Sequence, residues 1–154
     1  MRHTLWQSFE YAGRGLVAVM DSQRTMRIHV LVACAVSAAV MWLELPASDT
    51  AVLIVAMAGV LAVELLNTAV EVVVDMHARG RHDVLGGRAK DMSAAAVLVA
   101  AAGAAIVGVV ILGPPVATAI GMGRADALLA GRVVVLLGVL ICAALALWQA
   151  GSRR

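Results

Sequence analysis

The sequence predicts an all-α integral membrane protein, with an N-terminal amphipathic surface helix, three core transmembrane helices and a fourth, C-terminal one. Three observations predict it. Of 154 residues, 62% are hydrophobic and 14% charged, too apolar for a small soluble domain that exposes much of its surface. Four apolar stretches, at about 28–43, 50–74, 93–113 and 128–148, approach the ~20 helical residues that cross a ~30 Å hydrocarbon core. With the N-terminus in the cytoplasm, the twelve basic residues also divide unequally. Arg2, Arg14, Arg24 and Arg27, then Arg79, Arg81, Arg88 and Lys90, then Arg153 and Arg154 fall inside, and only Arg124 and Arg132 outside. That is the positive-inside distribution. The net charge of +2 follows from topology and implies no nucleic-acid partner.

The elements follow in order, within one compact unit. Residues 4–26 read as a helix lying on the membrane. Trp6, Phe9, Gly13, Leu16 and Met20 recur at three and four, while Glu10, Arg14 and Asp21 lie elsewhere on the wheel. Charged and polar residues run through 2–27, unlike a cleavable signal peptide. A first span is expected at 28–45, then the outer turn "ELPASD", with Pro46 and a helix cap at Ser48 or Asp49. The second span runs over 49–76. The loop at 77–90, within "HARGRHDVLGGRAKD", carries Gly80, Gly86 and Gly87 among charges and is expected to be irregular and cytoplasmic. The third span, 91–112, is crowded with small residues that suit close helix packing. Pro114 and Pro115 are expected to break it and open an outer loop over 113–127. The additional helix, 128–150, contains "RVVVLLGVLICAALALW". Cys34 and Cys142 sit inside apolar spans as small packing residues and carry no redox information.

The second span holds the chemistry. In "VELLNTAVEVVVD", Glu64, Glu71 and Asp75 fall within about 40° of one helical direction, with Asn67 about 60° off it. From Asp49 inward, 1.5 Å per residue puts Glu64 about 22 Å deep, just inside the inner boundary of the core, with Glu71 and Asp75 at or beyond it. Acids in such a place mark an ion, proton or substrate site, or else pair with the basic loop as a structural network. "GGRAKDMSAAAVL" then adds Lys90 and Asp91 at the mouth of the third span. A lysine can hold a phosphate, and carboxylates at helical spacing can hold Mg²⁺ together with phosphate oxygens. A further carboxylate can take a proton from a hydroxyl. These are the parts of phosphoryl transfer. No "GxxxxGK[ST]" loop is present, so a nucleotide would be held by other means. The competing readings are a small cation or proton carrier built on the same acids and a catalytically silent scaffold. A carrier would want its acids near mid-membrane, reachable from both sides.

Through "VELLNTAVEVVVD" and "GRAKDMSAAAVL", with "YAGRGL" and "RIH" upstream, residues 5–112 resemble the small prokaryotic diacylglycerol kinase and undecaprenol kinase family. The resemblance implies a homotrimeric lipid kinase of the bacterial inner membrane. It would phosphorylate a lipid hydroxyl from MgATP, at sites between subunits. Diacylglycerol is the first substrate it suggests, and undecaprenol the alternative. It implies that Glu64 is the general base and Asn67 a polar residue of the same site. Glu71 would be a metal ligand, and Tyr11, His82, Lys90 and Asp91 nucleotide contacts, with Asp75 and Arg14 in support. Two departures stand out. Where the family usually carries a second metal-binding glutamate this chain has Gln23, in "QRTMRIH", whose amide oxygen could ligate Mg²⁺ without bringing charge. The fourth span is the other, since the best-known members have three.

Overall fold

In the computed structural model the described residues are 4–78, 83–123, 125–126, 128–129, 131–133 and 136. His82 and most of the expected fourth span lie outside them. The described residues contain helices and no strand.

α1 (Leu5–Ser22) opens on a reciprocal cap. The Gln7 backbone N–H donates to Thr4 Oγ1 (3.4 Å), and the Thr4 N–H donates to Gln7 Oε1 (3.0 Å). This satisfies two of the donors that a helix start leaves free. α1 ends four residues earlier than expected, because Gln23 takes an extended conformation (φ −106°, ψ 117°). Its N–H still closes the last turn on the Val19 carbonyl, at 2.8 Å. α2 (Arg24–Leu43) starts immediately afterwards, so Gln23 is the single joint between the two helices.

α3 (Ala47–Ala78) begins before Ser48 and Asp49, which therefore sit in its first turn and do not cap it. Its 32 residues make a rod of about 48 Å, so roughly a third of it projects beyond a ~30 Å core. α4 (Val84–Ala119) starts well before the expected boundary and runs through Pro114 and Pro115. Its early start is explained at its cap. Asp83 Oδ1 accepts from the Leu85 N–H (3.0 Å) and the Asp83 carbonyl from the Gly87 N–H (2.9 Å), which turns "GGRAK" into helix. Two prolines remove two backbone donors from a ladder that continues around them. α2, α3 and α4 are each long and apolar enough to cross a membrane.

Contacts divide the chain into two compact units, where the sequence suggested one. One comprises Met1–Ala35 with Val55–Ala101, the other Val36–Ile54 with Ala102–Arg154. In the first, each helix supplies one buried apolar residue: Val19, Met26, Val60 and Val97. The other buried residues on α3 there are polar: Glu64, Asn67 and Thr68. Large side chains such as Trp6, Phe9, Leu66 and Leu98 are exposed. So much apolar surface fits lipid or neighbouring subunits better than water.

Candidate functional site

One stripe of α3 changes character partway along. Val60, Glu64, Asn67 and Glu71 follow at four, three and four residues, so one face passes from apolar packing to polar groups within a turn. All the described site residues belong to the first unit.

Glu64 is 1% exposed, and its Oε1 is buried without a hydrogen-bond partner among the described residues. A turn later, the Thr68 hydroxyl donates to the Glu64 backbone carbonyl (3.1 Å) and so does not serve Oε1. Leaving a buried polar atom unpaired costs about 1–3 kcal/mol. Helix geometry alone gives no reason for Glu64 to be acidic.

Glu71 is treated differently. Its Oε1 accepts from Asn67 Nδ2 and its Oε2 from Gln23 Nε2, each at 3.1 Å. A carboxylate only accepts, so both amides have to present their NH₂ groups to it. The far end of the Asn67 amide is also fixed. Its Oδ1 accepts from the Ser93 hydroxyl on α4, at 2.7 Å. Ser93 Oγ also lies 2.9 Å from the Lys90 carbonyl. The result is a continuous set, Ser93–Asn67–Glu71–Gln23, that ties α4 through α3 to the joint between α1 and α2.

Further along, Lys90 Nζ pairs with Asp75 Oδ1 at 2.5 Å, with side chains 34% and 67% exposed. What brings α4 this close is Gly86. A Cβ there would lie 2.7 Å from Val74 Cγ1 and 3.0 Å from Asp83 Oδ2, so a side chain would push the first turn of α4 off α3 beside Asp75. Asp91 is exposed. Tyr11 is also exposed, and its ring carries the Arg14 guanidinium 4.9 Å from its centroid. Arg14 pairs with Glu10 at 3.4 Å. Tyr11 lies about 18 Å from Gln23 along α1.

The chain thus brings Gln23, Asn67 and Glu71 into hydrogen-bonding contact and pairs Lys90 with Asp75. Glu64 sits on the same face of α3, while Tyr11, Arg14 and Asp91 are exposed. His82 lies outside the described residues. Sequence reasoning passed over Ser93 and Asp83. Asp83, directly ahead of "VL", carried a readable capping signal. Ser93 did not stand out among alanines.

The oxygens offered at Glu71 are those of its own carboxylate, since Gln23 and Asn67 present NH₂ there and would offer their carbonyls to a cation only when turned about. No set of three His, Cys, Asp or Glu side chains among the described residues could hold a metal. Such a donor set suits a hard cation like Mg²⁺, which takes one or two carboxylates and completes its shell with phosphate and water.

The family profile described as "Prokaryotic diacylglycerol kinase" matches residues 10–112. The chain is 41% identical over 122 residues to a diacylglycerol kinase of Synechocystis, covering 75% of this chain and 70% of that protein. It is 35% identical over 109 residues to an undecaprenol kinase of Bacillus subtilis, covering 71% and 88%. A diacylglycerol kinase of Escherichia coli is 39% identical over 93 residues, covering 58% and 73%. The chain therefore belongs to the prokaryotic diacylglycerol kinase family.

Proposed function

We propose that this protein is a lipid-alcohol kinase of the bacterial cytoplasmic membrane, transferring the γ-phosphoryl group of MgATP to the hydroxyl of a membrane lipid. Diacylglycerol, giving phosphatidic acid, is the first substrate and undecaprenol the alternative, since relatives carrying both names are similar to the chain. The observation that carries the reading is the pair of unlike carboxylates on α3. Glu64 is buried with an open oxygen, and two turns on Glu71 has both oxygens held.

In this reading Glu64 Oε1 accepts the proton of the lipid hydroxyl as that oxygen bonds to the γ-phosphorus and the bond to the β-phosphate oxygen breaks. Glu71 would hold Mg²⁺, with Gln23 and Asn67 as its amide partners. The metal, when bound, neutralises phosphate charge. Lys90, held in place by Asp75, meets the transferring phosphate, and Asp91, Tyr11 and His82 contact the nucleotide. The exposure of Tyr11 and its reach from Gln23 support a site completed by a neighbouring subunit of a homotrimer. The N-terminus is cytoplasmic by the basic-residue distribution.

The test is a side-by-side assay of purified protein with diacylglycerol, undecaprenol and a short monoacylglycerol. We expect ATP consumption that requires Mg²⁺ and one of these alcohols. Consumption independent of both would remove the kinase reading. A preference for undecaprenol would keep it and replace the first substrate.

A further inference from the structure

Ser93 has one proton and two acceptors within reach, and the difference between them has chemical consequences. In the observed arrangement the hydroxyl donates to Asn67 Oδ1 (2.7 Å), which keeps the Asn67 NH₂ on Glu71 Oε1 (3.1 Å). The Lys90 carbonyl stands 2.9 Å from the same hydroxyl. If the proton turns to that carbonyl, Ser93 Oγ offers a lone pair where it had offered a donor. An amide rotated by half a turn would then find its NH₂ accepted by Ser93, with its carbonyl directed at Glu71. A carbonyl facing a carboxylate is repelled, unless a cation lies between them.

We propose that Ser93 is a positioning residue that lets the Asn67 amide serve Glu71 in both states, giving NH₂ to the bare carboxylate and C=O to a divalent cation held there. The inference rests on the kinase reading only for the purpose of that cation. Asn67 is 8% exposed, so water is a poor substitute for the hydroxyl at either end of the amide. Alanine at 93 orphans the Asn67 carbonyl in the bare state but its NH₂ in the cation-bound state, and a buried N–H is the costlier of the two to leave unpaired. Threonine keeps the hydroxyl. The Lys90 carbonyl belongs to the residue whose side chain pairs with Asp75, so the same turn of α4 serves the metal group and the phosphate group.

Asn67 is the sole asparagine in the sequence, and this gives a direct readout. Full-length protein in nanodiscs, labelled with ¹⁵N-asparagine, should show one side-chain NH₂ pair. We expect that pair to shift saturably on titration with Mg²⁺. In Ser93→Ala the midpoint should rise about tenfold, as for loss of a partner that orients a metal ligand. Ser93→Thr should stay within about twofold of wild type on the same scale. A wild-type signal indifferent to Mg²⁺, an unmoved midpoint in Ser93→Ala, or a threonine variant behaving as alanine each overturns the proposal. Lipid kinase assays on the same samples separate the two readings. An inactive wild type whose NH₂ pair still responds through Ser93 defeats the kinase assignment alone.

Discussion

Glu64 and Glu71 lie two turns apart on one face of one helix, and their surroundings are opposite. Glu71 has a hydrogen bond on each oxygen, from Gln23 and Asn67. Glu64 is the more deeply buried, yet its Oε1 has no hydrogen-bond partner among the described residues. A network whose purpose was to hold helices together would give its partners to the more buried acid, where an unpaired atom costs most. Here the reverse holds. Two neutral amides fix the orientation of the Glu71 carboxylate without neutralising it by an ion pair. At Glu64 the open Oε1 leaves an acceptor position for a donor that enters. The contrast between them is the physical ground for giving them separate roles.

The most forceful way to break the comparison is Glu64→Gln. The amide is nearly isosteric and Oε1 has no partner to lose among the described residues, so assembly should survive. Turnover should fall by about 10²–10⁴-fold, the range for removing a general base. Size-exclusion profiles with single-turnover phosphoryl transfer would check both halves. A variant of normal activity would return Glu64 to the status of a buried structural acid.

A smaller effect is expected at the other carboxylate. Gln23→Glu replaces an NH₂ donor 3.1 Å from Glu71 Oε2 with a second carboxylate oxygen. Two like charges at that distance repel, and a divalent cation relieves the repulsion. The half-saturating Mg²⁺ concentration should therefore fall about tenfold, within the range for changes around a metal ligand. Thermal stability should depend on Mg²⁺ more steeply than in wild type. Identical Mg²⁺ curves for the two proteins would mean that position 23 does not touch the metal.

Much of this could be read from the sequence, for a reason particular to helices. At about 100° per residue, spacings of seven and four bring Glu64, Glu71 and Asp75 to one face, and the apolar residues between them leave no other face for those acids. The start of α4 was hidden because Gly86 and Gly87 look like loop. Their helicity depends on a cap at Asp83 and on the tight approach of Gly86 to Val74, a tertiary contact that no local pattern carries. Pro114 and Pro115 predict a break because propensity counts the two lost donors, while α4 continues through them to Ala119. Gln23 was visible as an amide in an acid's place. Which end of that amide faces Glu71 became visible only once Glu71 was beside it.

The least disruptive test concerns the phosphate side. Lys90 and Asp75 form an ion pair with side chains 34% and 67% exposed, and pairs of that kind contribute about 0–1 kcal/mol to folding. Asp75→Asn should accordingly leave the thermal transition almost unchanged. Its effect should fall on the nucleotide. Asp75 holds the Lys90 ammonium across the gap from α4 to α3, and without that anchor the four-carbon stem samples more conformations before it meets a phosphate. Ordering such a side chain costs on the order of 1 kcal/mol, equivalent to a rise of about threefold to fivefold in the KM for ATP, with kcat retained. Steady-state kinetics over ATP concentration at fixed lipid and saturating Mg²⁺ would measure the split. A KM that falls instead would show that Asp75 competes with phosphate for Lys90 and does not aim it. The Asp75 pair would then be a resting state that the nucleotide displaces, in contrast to Glu71, whose amide partners are expected to stay beside it when a cation binds.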